Sequence, residues 1–206
     1  MEPLEPLSLS PGRFFRLACG FYLLLALAGG LWIGLREGPI PVGLFIDART
    51  WPADLALGIG GGGLLLLLWA GARRTSRLAR ELEERLAAVV GPLAGAEVFA
   101  LALISGLTEE LFFRGAILRA WGSLPATLLF ALLHTGPGRV YRTWTLFAVL
   151  AGAGFSALVL WRGNLLPAIA AHALVNAVNL RLLVKRFRDR LPPSMSDDPG
   201  ASPDGP

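Results

Sequence analysis

Between Pro92 and Trp121 the chain reads as one long apolar helix into which Thr108-Glu109-Glu110-Leu111-Phe112-Phe113-Arg114 places three charges. A charged side chain at the centre of a bilayer-spanning helix costs about 2.5–3.5 kcal/mol on insertion scales, and two adjacent carboxylates also repel each other. Folding alone gives no reason to carry that cost. The charges therefore mark a functional site by default, and the remaining chain must supply helices that shelter them. Its composition agrees: 54% of residues are hydrophobic, 17% are charged and the mean hydropathy is +0.57. The expected fold is all-α, a polytopic membrane helix bundle of six transmembrane helices plus one amphipathic surface helix.

The spans follow in order. Residues 1–12, with Pro3, Pro6 and Pro11, predict a disordered tail, and residues 13–90 hold the first two spans and the surface helix. The first span covers Phe14–Leu35 as a retained helix rather than a cleaved leader. The second covers Leu55–Ala72, where Gly58 and Gly62 suit close helix packing. Arg73–Val90 repeats Leu78, Leu82, Leu86 and Val89 at helical spacing among Arg and Glu, which predicts an amphipathic helix lying on the membrane surface. Residues 91–184 form a core of four spans: Pro92–Trp121, Leu124–His134, Thr143–Trp161 and Asn164–Val184. Residues 185–206 are basic and then Pro- and Asp-rich, a second disordered tail. Cys19 stands alone, which excludes an intramolecular disulfide.

Six spans put both termini on one face. That face carries Arg13, Arg16, the Arg73–Arg85 cluster, Arg139, Arg142 and the Lys185–Arg190 cluster, so it is expected to be cytoplasmic in a bacterial inner (plasma) membrane. The bases sit at span ends, a pattern that suits the lipid bilayer as a partner and not nucleic acid.

The only two histidines, His134 and His172, both fall within expected spans. At about 1.5 Å per residue, Glu109, His134, His172 and Asn176 lie roughly 12–18 Å below the outer ends of their helices, in one layer. Glu110 and Arg114 stand at i and i+4, the spacing at which a glutamate pairs with a following base, and Glu109 points about 100° away without that partner. One carboxylate is then structural and the other is free to act as a base. His172 and Asn176 share a helix face, where their side chains can donate together to one developing oxyanion.

Glu109-Glu110-x-x-x-Arg114, Phe130-x-x-x-His134 and His172-x-x-x-Asn176, in that order, resemble the three motifs of the CPBP (CAAX protease and bacteriocin-processing, or ABI) family of intramembrane glutamic proteases. The type II CAAX prenyl endopeptidases and myxosortase-like processing enzymes belong to it. The resemblance implies that Glu109 activates a water for attack on a peptide carbonyl, with His134 assisting. It implies that His172 and Asn176 form the oxyanion hole, that Arg114 holds Glu110, and that Phe130 packs against the site.

The function expected is an intramembrane endopeptidase acting on a membrane-associated protein or peptide, at a C-terminal or sorting signal, without cofactor. Two alternatives stay open: a zinc-dependent protease with Glu109, His134 and His172 as ligands, and a non-catalytic scaffold or immunity protein. The expected topology also lets a cavity open toward the outer face, away from the basic one.

Overall fold

A computed structural model describes residues 12–190, so both expected disordered tails, apart from Gly12 and residues 185–190, lie outside the described residues. The architecture is a helix bundle embedded in the membrane. In order come α1 (Arg13–Glu37), a 3-10 turn at Val42–Leu44, α2 (Trp51–Thr75), α3 (Arg77–Val90) and α4 (Gly95–Glu110). A π-helical stretch at Leu111–Ile117 follows, then α5 (Leu118–Trp121), α6 (Ser123–Leu132), α7 (Arg139–Arg162) and α8 (Leu166–Arg188). Leucines such as Leu24, Leu67 and Leu146 are exposed, while Glu109, Glu110, Arg114 and His172 are buried. That inverted pattern is what a bilayer solvent selects.

Four helices, α1, α2, α7 and α8, are each long and apolar enough to cross a membrane. The rod from Gly95 to Trp121 makes a fifth when taken together with α3, across a 109° bend. The expected fourth span, Leu124–His134, forms as a short helix. Helix α6 has 10 residues, about 15 Å at the helical rise and so about half of a bilayer's hydrocarbon core. The chain breaks at Leu133 because Thr135-Gly136-Pro137-Gly138 cannot continue a helix.

Helix α8 lies between α2 and α4, and small residues allow the approach. A Cβ on Gly58 would stand 2.4 Å from the Pro167 carbonyl oxygen, and one on Gly62 2.8 Å from that of Ala171. On the other side, a Cβ on Gly106 would stand 3.0 Å from the Ala173 nitrogen. Ala171 and Ala173 flank His172, so these glycines fix where that imidazole enters the bundle.

The amphipathic helix forms over Arg77–Val90, with its apolar stripe rotated from the expected one. Gly91 takes a left-handed φ of 65° before Pro92, which ends α3 and turns the chain into α4. Ser76 caps the other end by accepting from the Ala79 amide. Between these ends α3 lies across one end of the bundle, packed on α2, α7 and α8. Its inner face is Ala79, Leu82, Glu83, Ala87 and Val90, whereas Leu78 and Val89 of the expected stripe are exposed. The stripe is rotated because the buried Glu83 is satisfied from the bundle: Trp69 Nε1 donates to it at 2.9 Å, and Arg186 and Arg73 pair with it at 2.6 and 3.5 Å.

Candidate active site

The π-helical stretch begins directly after Glu110. Its wider turn breaks the i→i+4 ladder, a distortion found mostly at functional sites. Arg114, within it, is wholly buried, and each of its three nitrogens has a partner. Nη1 donates to Glu110 Oε1 at 2.9 Å, Nη2 donates to the Gly152 carbonyl at 2.9 Å, and Nε approaches Ser156 Oγ at 3.5 Å. The guanidinium lies over Phe130, 4.6 Å from the ring centroid, and near Phe155. Gly152 is needed for this, since a Cβ there would stand 3.2 Å from Arg114 Nη2. Arg114 is thus a structural cation tying α4 to α7, buried away from any substrate.

Glu110 is its anion and, as the helical spacing requires, is completely buried. The same Oε1 also receives His172 Nδ1 at 2.8 Å. The ring of His172 stacks on Phe155, with centroids 5.0 Å apart. Asn176, one turn further along α8, donates Nδ2 to Ser105 Oγ at 2.8 Å. His172 and Asn176 share a face as expected, but each already spends a donor on α4.

Glu109 points elsewhere, into a cavity of about 300 Å³, and its Oε2 is buried without a hydrogen-bond partner. His134, in the turn after α6, lines the same cavity. Its Nδ1 lies 2.8 Å from the Phe130 carbonyl oxygen, which can only accept, so Nδ1 carries the proton and Nε2 keeps its lone pair. Trp144 braces the ring edge-on at 5.2 Å. Phe130 packs against His134, His172 and Arg114 together. The cavity therefore gathers Glu109, His134, His172, Asn176 and Phe130, while Glu110 and Arg114 stand behind its wall.

Among the described residues no group of three His, Cys, Asp or Glu side chains is arranged to hold a metal ion.

The direction of the cavity differs from the expected one. From the Glu109 level it runs along α8 past Asn179 to Leu183, and along α1 to Phe14, and is closed by Leu82, Glu83, Leu86 and Val89 of α3. Its lining lies toward the basic end of the bundle and includes nothing from the opposite end near Glu37, Trp121 or Arg162. The reason is tertiary. At the opposite end Asp54 binds Thr50, Arg162 and Asn164, and Arg119 pairs with Glu37, so the helices are drawn together there.

Ser105 and Tyr22 are among the cavity residues that escaped the sequence reading. Ser105 stands one turn before Glu109 on the same face of α4, a spacing that could have flagged it. Tyr22 comes from α1, where a tyrosine in an apolar span carries no such signal.

The region that carries the site is similar to a known family. Residues 92–178 match the family described as "Type II CAAX prenyl endopeptidase Rce1-like". Over 80 residues the chain is 34% identical to a protein of Bacillus subtilis (strain 168) described as "Uncharacterized protein YpbD", an alignment covering 38% of this chain and 41% of that one. The chain thus spans under half the length of that curated relative. No solved structure matches.

Proposed function

We propose that the protein is an intramembrane endopeptidase that uses Glu109 to activate a water, a reading supported by the match of residues 92–178 to the Rce1-like family. One observation carries the reading. The open carboxylate oxygen of Glu109 and the lone pair of His134 Nε2 belong to groups lining one sheltered cavity, while the neighbouring carboxylate is neutralised behind it. A structural clamp needs only Glu110 and Arg114. Keeping a second buried acid unpaired costs stability, and a general base is the use that repays it.

The steps balance as follows. Water held between Glu109 and His134 attacks the carbonyl carbon of a peptide bond, and its proton passes to Glu109. The carbonyl oxygen becomes an oxyanion, stabilised by the Asn176 amide and by His172 Nε2. Because His172 Nδ1 is held by Glu110, donation through Nε2 requires an imidazolium. The four charges of Glu109, Glu110, Arg114 and His172 then sum to zero, a composition that a buried cluster tolerates. Collapse of the intermediate breaks the C–N bond, and the proton on Glu109 goes to the departing amine. No metal enters this scheme.

The substrate is a membrane-associated protein or peptide, processed at a C-terminal or sorting signal. It reaches the site from the end closed by α3, which the basic loops assign to the cytoplasm together with both termini. The test is to compare the termini of membrane proteins in cells carrying the wild-type chain or Glu109→Gln, alongside cleavage of the identified substrate by purified protein with and without a chelator. The reading predicts processing that depends on Glu109 and is indifferent to chelation. Equal processing in both strains would refute it.

A further inference from the structure

The motif residues do not hold themselves in place. Asn176 donates one amide hydrogen to Ser105 Oγ at 2.8 Å, and the Ser105 hydroxyl donates onward to the Ala102 carbonyl at 3.2 Å. Because that hydroxyl hydrogen is committed to a carbonyl, Ser105 Oγ is an acceptor toward α8, and Asn176 must present its NH2 group. One amide hydrogen is thereby fixed on α4. The second is left for a carbonyl oxygen in the cavity that both residues line. Ser105 is buried, and its place at i−4 from Glu109 sets acid and amide at a constant separation.

The third member comes from a different part of the chain. Tyr22 of α1 lines the same cavity as Ser105 and Glu109, so its phenol has both as candidate acceptors. It has a single proton to give. The Ser105 hydroxyl oxygen already receives Asn176, whereas Glu109 Oε2 is buried and open. A bond to a carboxylate is roughly twice as strong as one to a neutral acceptor, which directs the phenol to Glu109. Helix α1 lies outside the family-matched residues 92–178.

We infer that Tyr22 and Ser105 are positioning residues of this site, Tyr22 orienting the Glu109 carboxylate from outside the matched segment and Ser105 setting the rotation of the Asn176 amide. The inference rests on the proteolytic reading for its kinetic consequence but not for its contacts. Tyr22→Phe removes one oxygen and keeps the ring. Dicyclohexylcarbodiimide modifies intramembrane carboxyl groups without turnover, so it can be applied to the full-length protein in liposomes and the modified site mapped by mass spectrometry. Tyr22→Phe should be modified at Glu109 at least threefold faster than wild type, with an unchanged thermal midpoint. On a cleaved substrate it should lose about tenfold in kcat at constant KM. Ser105→Ala should show the same kinetic split with wild-type labelling of Glu109, since it acts on Asn176.

Labelling of Glu109 at the wild-type rate in Tyr22→Phe would overturn the inference. So would a Tyr22→Phe protein that no longer folds, because a phenol serving only Glu109 is dispensable for packing. The two readings fail separately. Tyrosine-dependent labelling in a protein that cleaves nothing refutes the protease alone, and tyrosine-independent labelling in an active protein refutes the positioning role alone.

Discussion

Two buried acids at different levels of the bundle, Asp54 and Glu109, are treated in opposite ways. Asp54 is wholly inaccessible, and both of its oxygens are occupied: Thr50 and Asn164 donate to Oδ2, each at 2.8 Å, and Arg162 donates to Oδ1. Asn164 in turn accepts from the Leu166 amide with its side-chain oxygen. The cluster joins the start of α2 to the turn between α7 and α8 and leaves nothing over. Glu109 is nearly as buried, at 4% exposure, yet has an oxygen with no partner and a cavity in front of it. A fully satisfied buried acid is the signature of architecture, and an unsatisfied one beside a space is the signature of chemistry.

Glu110 shows that the contrast is not one of position. It is adjacent in sequence and more deeply buried, and its Oε2 likewise has no partner, but Arg114 and His172 both close on its Oε1 and no cavity opens in front of it. The helical turn between neighbouring residues assigned one carboxylate to each role.

The comparison can be broken at several points. The largest effect belongs to Glu109→Gln, which should lower the cleavage rate on the order of 10³-fold while leaving the thermal midpoint near wild type, because the amide loses no existing partner. A rate within tenfold of wild type would place the chemistry elsewhere. Next is Arg114→Ala, which strands Glu110 in the bundle and should cost about 3–5 kcal/mol of stability. Denaturation in mixed micelles reads this, and a loss below 1 kcal/mol would mean that the pair is not the clamp its geometry describes.

Asp54→Ala comes third. It leaves the buried Asn164 amide and Arg162 without their acceptor, at about 1–3 kcal/mol, but the rate per folded molecule should not change. A rate defect in a stably folded Asp54→Ala protein would erase the distinction between the two acids. The smallest effect is expected from Glu83→Gln in α3. Its partners Arg73 and Arg186 are about a third exposed, so the loss should be at most about 1 kcal/mol. If α3 closes the route to the site, the same substitution raises the labelling rate of a thiol placed in the cavity, and an unchanged rate would argue for entry elsewhere.

How far these roles were legible in the sequence varies by residue. The pairing of Glu110 with Arg114 follows from helical geometry within one segment, so four residues of spacing sufficed. The convergence of Glu109, His134, His172 and Asn176 on one level followed from counting along helices whose lateral order was unknown. Counting could not give the donor assignments, because whether His172 turns its Nδ1 to Glu110 or to the cavity depends on the packing of α8 against α4 through Gly106. Tyr22 was invisible for the same reason: nothing local distinguishes it from a lipid-facing tyrosine.

The sequence by itself determined that this chain lives in a bilayer as helices and where its charges must be sheltered, since hydropathy and the 3.6-residue repeat are properties of single segments. Tertiary structure alone decided that α3 covers the end of the bundle with a glutamate inside, and that the cavity faces the basic end. Each depends on which helices touch and how closely. That is set by glycines, capping and buried ion pairs between residues as far apart as Asp54 and Arg162, and no periodicity within one helix encodes it.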